Sequence, residues 1–406
     1  MFLPFPSIKT AKLKNISKIA GDALKAIGLF NDSFPPIMDG VSLTVQNYAY
    51  CLHKKDQPVC VITPKSPQSD DNEPYPVYRY TSIPILGRKP YRFGLPKMDL
   101  SFRTELDQVS FGLVHAHCPF SSGNIALRIA KEQHVPFVAT FHSKYRDDFK
   151  RAVHNKFIAK LMADEVIRFY EKADEVWISQ ASVEDTIREY GFKGKVEVVP
   201  LGNDFTSDQP VKPIKKQARK DLDINDNETV FLFVGQLIWE KNTRLIVESL
   251  ALINDLPFKM FFVGIGYATD DLKQLVDKLG LSSKVEFVGT ITDREKLKQY
   301  YAATDLFLFP STYDTWALVV REAAALGTPS VLIEGSTISK AITNNYNGFL
   351  TQDSNESFAS CLRELISKPE LISSVGLNAS KTITRTWESM TDDVIDRYQN
   401  LMKRKC

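Results

Sequence analysis

Residues 314–329 read D-T-W-A-L-V-V-R-E-A-A-A-L-G-T-P, and this stretch decides the fold class. Its apolar spacing predicts a helix over residues 318–326. Short apolar runs at 305–309 and 329–333 predict a strand on either side. A strand, a helix and a second strand in this order indicate a parallel sheet with helices on its faces.

The same alternation runs through most of the chain. The remaining predicted strands are residues 26–30, 58–63, 113–116, 137–141, 175–179, 196–199, 229–234, 259–263 and 284–288. The other predicted helices include residues 41–54, 243–253, 269–279 and 294–303. Two successive parallel-sheet halves follow from this order, so we predict an α/β fold of two Rossmann-like domains facing across a cleft.

A polar segment with two prolines, residues 206–228, separates the two halves. We interpret it as the connection between an amino-terminal domain, residues 26–205, and a carboxy-terminal domain, residues 229–380. A length of 406 residues also favours two domains over one.

The composition is that of an ordinary globular protein, with 43% hydrophobic and 25% charged residues. A formal net charge of +2 indicates no general affinity for polyanions, so no nucleic-acid partner is expected. The five cysteines are scattered and lack C-x-x-C spacing, which favours reduced thiols in a cytosolic protein over disulfides or a zinc site. No apolar run approaches the length of a membrane span.

The first 25 residues form a basic leader with five lysines and a single acid, Asp22. It lacks the continuous apolar core of a secretory signal. Two interpretations remain open: a solvated leader, or a basic amphipathic anchor at the inner face of an anionic cell membrane.

Two acids and a lysine suggest the ligand. Asp314 and Glu322 stand eight residues apart across a strand-to-helix junction, and Lys241 lies in F-V-G-Q-L-I-W-E-K-N, residues 233–242. Carboxylates accept hydrogen bonds from hydroxyl groups, while helix amides and a lysine hold phosphates. This set of groups suits a sugar joined to a diphosphate.

Residues that follow the predicted strands line the expected cleft, because such folds bind ligands at the carboxyl ends of their strands. In the first half they are Asp39, Gly40, His115, His117, His142 and Ser143. In the second half they are Gly235, Gln236, Gly264, Gly266, Gly289, Thr290, residues 311–314 and residues 334–336.

Seven segments in order carry a family resemblance. They are F-P-P-x-x-D-G-V (34–41), H-A-H-x-P-F (115–120), T-F-H-S (140–143), V-V-P-L-G-N-D (198–204), V-G-Q-x-x-x-E-K-N (234–242), V-G-x-G (263–266) and the acid-x7-Glu block (314–322). In this order they resemble the retaining, nucleotide-sugar-dependent glycosyltransferases of family 4, which have the two-Rossmann-domain GT-B architecture. The resemblance also implies a carboxy-terminal helix, residues 381–406, that returns to the first domain.

The resemblance assigns roles to individual residues. Glu322 corresponds to the acid that accepts hydrogen bonds from the nucleotide ribose, Asp314 to the acid that contacts the donor sugar, and Lys241 to the cation that neutralises the diphosphate. Gly40 corresponds to a glycine that lets backbone approach a phosphate, and His142 to a histidine near the transferred sugar. The remaining implied donor-binding residues are Gly235, Gln236, Gly264, Gly266, Thr315, Trp316, Ala317, Leu318 and Val319; Asp39 and His117 are expected on the acceptor side.

Three departures from the family pattern concern the donor. Gln236 stands where the family commonly has arginine, and Arg244 or Arg321 are the candidates to replace that charge. Asp314 is one methylene shorter than the usual glutamate. Thr315, Trp316 and Ala317 replace the small glycines that usually follow, so a reshaped sugar pocket is expected.

The chemistry implied is transfer of a hexose, glucose by preference, from a UDP-sugar with retention at the anomeric carbon. No D-x-D follows a predicted strand, and the resemblance implies neither a metal nor any cofactor besides the donor substrate. Front-face attack with the departing phosphate as proton acceptor is expected, with positioning and electrostatic stabilisation as the protein's contribution.

The acceptor depends on the first domain. Residues 131–160 carry seven basic and three acidic side chains, with apolar residues at helical spacing. A solvated amphipathic helix and a membrane-docking helix remain open. With the basic leader and G-L-P at 94–96, the chain resembles the bacterial diacylglycerol glucosyltransferases of this family, which implies a lipid acceptor. The alternatives are a lipid-linked saccharide or a small soluble acceptor, or a non-catalytic nucleotide-sugar-binding protein.

Overall fold

The computed structural model describes residues 25–405 except 38, 68, 86–89, 143, 154, 204, 206–210 and 315. The basic leader therefore lies, up to residue 24, outside the described residues.

The first domain is built on a parallel sheet. Its strands are β1 Ala26–Phe30, β2 Val59–Pro64, β3 Val77–Tyr80, β6 Phe111–Ala116, β7 Phe137–Phe141, β8 Glu175–Ile178 and β9 Val196–Val198. Two further strands, β4 Ser82–Pro84 and β5 Arg92–Gly94, form a separate small hairpin. Within the described residues the sheet order is β3-β2-β1-β6-β7-β8-β9. The central strands β1, β2, β6 and β7 are buried, as their continuous apolar runs predict.

Helices cover both faces of this sheet. They are α1 Gly40–Lys54, α2 Leu100–Leu106, α3 Ser121–Glu132, α4 Tyr145–Val153, α5 Lys156–Tyr170 and α6 Ser182–Glu189. Apolar residues of α2, α3 and α5 bury themselves in one core on one face, and α1 contributes to a second core on the other face. A short 3-10 helix, Pro96–Met98, precedes α2.

The second domain repeats this architecture. Its elements are α7 Val211–Asp221, β10 Thr229–Val234, α8 Thr243–Ala251, β11 Phe258–Val263, α9 Thr269–Lys278, β12 Val285–Gly289, α10 Arg294–Ala303, β13 Leu306–Leu308, α11 Leu318–Ala325, β14 Ser330–Ile333, β15 Phe349–Thr351, α12 Asn355–Ile366 and α13 Pro369–Thr382, with 3-10 helices Trp239–Lys241 and Ile338–Ala341. Its parallel strands run in the order β12-β11-β10-β13-β14-β15 among the described residues. The predicted fold class, two Rossmann-like α/β domains, is confirmed.

The last helix, α14 Trp387–Lys405, lies against the first domain although it follows the second. Trp387, Met390 and Tyr398 are buried in the same core as α1. The Tyr398 hydroxyl is 2.5 Å from Nδ1 of His115 in β6. None of the helices within the described residues is long and apolar enough to cross a membrane.

The segment 206–228, interpreted as the connection between the domains, contains a helix that was not predicted. This helix, α7 Val211–Asp221, packs against α10 of the second domain. Lys215 and Arg219 form ion pairs of 2.6 and 3.0 Å with Asp305, directly before β13. Two basic residues of this polar segment, one lysine and one arginine, therefore bind an acid that is distant in sequence.

Candidate active site between the two sheets

The carboxyl ends of the two sheets face each other across a cleft. Lys144, which follows β7, donates a hydrogen bond of 2.9 Å to the carbonyl of Thr312 in the second domain. The Tyr313 hydroxyl donates to Oδ1 of Asp148 in α4 at 2.6 Å. These contacts bring the residues that end the strands of one domain next to those of the other.

Lys241 and Asp314 form an ion pair at the centre of this edge. Nζ of Lys241 lies 3.1 Å from Oδ1 of Asp314, and both side chains are largely buried. Ser311 donates a hydrogen bond of 2.6 Å to the other carboxylate oxygen. The ammonium group has three donors, so this pair orients Lys241 and leaves it further capacity to bind an anion.

Helix α11 starts beside this pair without a side-chain cap among the described residues. Ala317, the residue before the helix, has φ 49° and ψ 75°, the left-handed conformation that favours glycine. The first amides of a helix carry partial positive charge. Backbone strain of this kind is found at ligand sites, and here it fixes the start of the helix next to Lys241. Thr315, a predicted donor-binding residue, lies outside the described residues.

Glu322 is buried in the first turns of α11 and is held by two partners. Nη2 of Arg294 donates to Oε1 at 2.6 Å, and the Tyr301 hydroxyl donates to Oε2 at 2.8 Å. Each oxygen of a carboxylate accepts more than one hydrogen bond. Both partners come from α10, and no local pattern in the sequence pointed to them.

Two predicted donor-site glycines, Gly264 and Gly266, are required by the backbone of the second domain itself. A Cβ on Gly264 would lie 2.0 Å from the carbonyl oxygen of Gly235, and a Cβ on Gly266 would lie 2.2 Å from that of Leu237. The loops that follow β10 and β11 therefore pack backbone against backbone. Gly40 differs, because a Cβ at its position would meet no atom within 4 Å. Its predicted role beside a phosphate needs this open space.

Asp39 and Gln236 are both neighbours of Tyr91, a residue that the sequence did not single out. Oδ1 of Asp39 caps α1 by accepting hydrogen bonds of 2.9 and 2.8 Å from the amides of Val41 and Ser42. Burial raises the pKa of Tyr91, and Asp39 and Gln236 are polar neighbours that also act on this pKa. Burial also raises the pKa of Asp39. Gln236 therefore lies near the first domain, beside a tyrosine that belongs to none of the sequence motifs.

Three histidines line the edge of the first sheet. His115 is fully buried, and its ring nitrogens contact Tyr398 and Thr140. Nδ1 of His117 is 3.0 Å from Nε2 of His142, the residue directly after β7. Burial lowers the pKa of all three imidazoles, that of His142 to about 3, so they are neutral at neutral pH.

Arg321 joins the donor loop to the first domain. Its guanidinium carbon lies 3.3 Å from the centroid of the Trp316 ring, and Nη2 donates to Oε1 of Gln180 at 3.1 Å. Burial lowers the pKa of Arg321 to about 9. The Trp316 ring packs against the core that α1 and α14 share. Trp316 therefore lies at the contact between the domains. Arg321, a candidate to replace the charge missing at Gln236, instead contacts Trp316 and Gln180.

The second candidate to replace the missing charge, Arg244, also has other partners. Its guanidinium lies over the ring of Trp239 at 4.8 Å and 3.9 Å from Glu248. Lys241 is therefore the cation that the structure places beside Asp314.

Comparison with known families identifies the chain. Residues 38–206 match the family model described as Glycosyltransferase Family 4, and residues 214–382 match the model of Glycosyl transferases group 1. The chain is a group 1 glycosyltransferase with a family 4 amino-terminal domain. The two matches together span most of both domains.

Curated relatives of this glycosyltransferase include two alpha-monoglucosyldiacylglycerol synthases. The protein from Streptococcus pneumoniae is 26% identical over 355 residues, which cover 85% of this chain and 79% of the relative. The protein from Acholeplasma laidlawii is 25% identical over 408 residues, covering 93% of this chain and all of the relative. Among solved structures, sucrose-phosphate synthase from Thermosynechococcus elongatus superposes with a TM-score of 0.78 at 20% identity, covering 94% of this chain and all of that one. This last likeness establishes the shared GT-B fold.

Proposed function

We propose that this glycosyltransferase moves glucose from UDP-glucose to a lipid acceptor such as diacylglycerol, with retention at the anomeric carbon and without a metal. The observation that carries the proposal is the Lys241–Asp314 pair at the start of α11, a helix without a side-chain cap among the described residues. The pair lies at the edge where Lys144 and Asp148 of the first domain contact Thr312 and Tyr313. Both relatives named above are glucosyldiacylglycerol synthases by name, which favours this donor sugar and this acceptor.

Lys241 and the first amides of α11 would stabilise the diphosphate as negative charge develops on the leaving oxygen. Such preorganised donors act strongly in a site with little water. Asp314 would hold the ammonium group in place and accept a hydrogen bond from a sugar hydroxyl. Glu322, fixed by Arg294 and Tyr301, would accept hydrogen bonds from the ribose.

Front-face attack fits this arrangement better than a covalent intermediate on Asp314. Its two carboxylate oxygens already contact Lys241 and Ser311 at 3.1 and 2.6 Å. An ammonium group and a hydroxyl stabilise the negative charge of the carboxylate and so make it less nucleophilic than a free one. The departing phosphate oxygen would then take the proton of the acceptor hydroxyl, while the protein positions both substrates.

A donor panel tests the proposal. UDP-, GDP- and ADP-sugars are incubated with vesicles that contain diacylglycerol, and products are identified by mass and anomeric configuration. We expect α-glucosyldiacylglycerol from UDP-glucose only. Lys241→Gln should lower turnover by about a hundredfold or more, because it removes the charge beside the leaving group.

Lys259→Gln is the matched control. Lys259 also lies 3.1 Å from an acid, Glu286, but in the outer part of the second sheet. This variant should keep native turnover. The proposal fails if no nucleotide sugar is turned over, or if both lysine variants lose activity equally.

A further inference from the structure

Exposed apolar side chains concentrate at one edge of the first domain. Helix α5 starts at the carboxyl edge of the first sheet, since it follows β7 and leads back to the start of β8. In its first two turns Phe157, Ile158 and Leu161 are exposed, Phe157 by 69%. The opposite face of the helix buries Ala159 and Ala163 in the core. The first turns of α5 therefore present an apolar face to solvent.

A second apolar group lies at the same edge of the sheet. The β4–β5 hairpin follows β3 and pairs Ile83 with Phe93, and both side chains are exposed. Met98 and Leu100, just before and at the start of α2, are 77% and 74% exposed. Helix α2 packs into the same core as α5, so the two groups flank one face of the domain.

Phe120 lies between the two groups, because Gly94 of the hairpin lies against Ser121, the next residue, and α4 packs against α5. Phe120 follows β6, is 41% exposed, and its ring lies 5.7 and 6.3 Å from the rings of Tyr145 and Phe149 in α4. We call the surface formed by the hairpin, the start of α2, Phe120 and the first two turns of α5 the apolar edge. Helix α4 itself buries Tyr145 and Phe149, so within residues 131–160 the exposed apolar face belongs to α5.

Basic side chains flank the apolar edge. Lys156 and Lys160 are exposed, and residues 156–163 contain no acid. Lys97 and Arg103 are exposed beside the second group. The nearby acid Asp99 is engaged as the cap of α2 and as an acceptor from Thr81. Apolar side chains among lysines complement the headgroup region of a membrane with anionic lipids.

We propose that the apolar edge docks on an anionic membrane surface and inserts Phe157, Leu161 and Met98 among the lipid headgroups. This inference rests on the proposed lipid acceptor and assigns the surface through which the enzyme reaches it. His142 directly follows β7 and stands three residues before α4, at this same edge of the sheet. Docking there places the acceptor side of the cleft next to the lipid.

Flotation of the full chain with vesicles tests the assignment. The vesicles contain phosphatidylcholine alone or phosphatidylcholine with phosphatidylglycerol. Native protein should float with the second kind only. The double variants Phe157→Ser/Leu161→Ser and Met98→Ser/Leu100→Ser should each weaken binding about tenfold or more, because each loses two apolar side chains. Lys156→Gln and Lys160→Gln should each weaken it about fivefold at low salt.

The matched control is Leu252→Ser/Leu377→Ser. These two leucines are each 51% exposed, but they lie in the second domain. This variant should bind vesicles as the native protein does. The assignment is overturned if the Phe157→Ser/Leu161→Ser variant floats as well as native protein. It is overturned as well if native protein binds vesicles equally with and without phosphatidylglycerol. It is also overturned if light scattering shows that the native chain dimerises and this variant does not, since a second copy would then cover the edge.

A second assay separates this inference from the proposed function. With UDP-glucose and a short-chain diacylglycerol dispersed in detergent, the Phe157→Ser/Leu161→Ser variant should keep native turnover, whereas turnover on vesicles falls with binding. If native protein floats but glucosylates neither acceptor, the proposed function fails and the docking surface stands. If native protein glucosylates both acceptors but never floats, the docking surface fails alone.

Discussion

Nδ1 of His117 lies 3.0 Å from Nε2 of His142, and the planes of the two rings are 19° apart. Since burial keeps both imidazoles neutral, one nitrogen of the pair donates and the other accepts. Nε2 of His117 is buried without a hydrogen-bond partner among the described residues. A buried donor without an acceptor is rarer than an unmet acceptor. The proton of His117 therefore belongs on Nδ1, and that of His142 on its own Nδ1.

This relationship makes His117 a positioning residue for His142. His117→Leu should lower kcat about tenfold through loss of one hydrogen bond, with little change in KM for the nucleotide sugar. His117→Asn places an amide donor where Nδ1 stood and should restore most of kcat. Imidazole nitrogen shifts in NMR should show the Nδ1–H form of His142 in native protein. If Asn and Leu reduce kcat equally, His117 only fills space.

The buried histidines predict a dependence of stability on pH. The unfolded chain protonates histidine near pH 6.5, whereas folded His142 does so only at about pH 3. Between these values the unfolded state binds more protons, so the free energy of unfolding falls as pH drops below 6.5. The slope is about 1.4 kcal/mol per pH unit for each such histidine.

Urea unfolding at several pH values measures this slope. His142→Gln should reduce it, and His53→Gln, which changes an exposed histidine in α1, should leave it unchanged. Equal slopes in native protein and His142→Gln would contradict the prediction.

Two glycines should respond to alanine in opposite ways. Gly40→Ala meets no atom within 4 Å, so stability should be unchanged while turnover falls if a phosphate lies over this backbone. Gly264→Ala, at φ +127° and 2.0 Å from a carbonyl oxygen, should cost about 3 kcal/mol of unfolding free energy.

Gly280→Ala separates backbone strain from the clash, because Gly280 has φ +69° and open space around it. It should cost only about 1 kcal/mol. Denaturant unfolding and turnover assays on the three variants check these expectations, and a stable Gly264→Ala protein would refute the packing argument.

Ala317→Gly should raise the free energy of unfolding by about 0.5 to 1 kcal/mol. Glycine adopts the left-handed conformation at φ 49° without strain, which stabilises the folded state. Part of this gain is offset because glycine gives the unfolded chain more conformational freedom. Ala325→Gly, at the other end of α11, should instead lower it by about 1 kcal/mol, because it weakens a helix. Denaturant midpoints compare the two. A loss of stability in Ala317→Gly would show that the strain is not present in solution.

Local pattern was sufficient for most elements of the fold. The predicted bounds of β1, β7, β10 and α10 match the structure, because each is a run of suitable periodicity between turn residues. The short outer strands β3 and β15 were missed, since three or four partly apolar residues carry little periodic signal. Helix α7 was missed because Lys215 and Arg219 acquire their partner, Asp305, only in the folded chain.

The sequence by itself determined the two parallel-sheet domains and the order of the motifs. This is because the periodicity of a strand or a helix depends only on residues that are close together in the chain. Tertiary structure alone decided which side chains meet. His117 faces His142, Arg294 and Tyr301 hold Glu322, and Tyr313 binds Asp148. These contacts join residues 21 to 165 positions apart, or different domains. They depend on how sheets and helices pack, and no local pattern encodes that geometry.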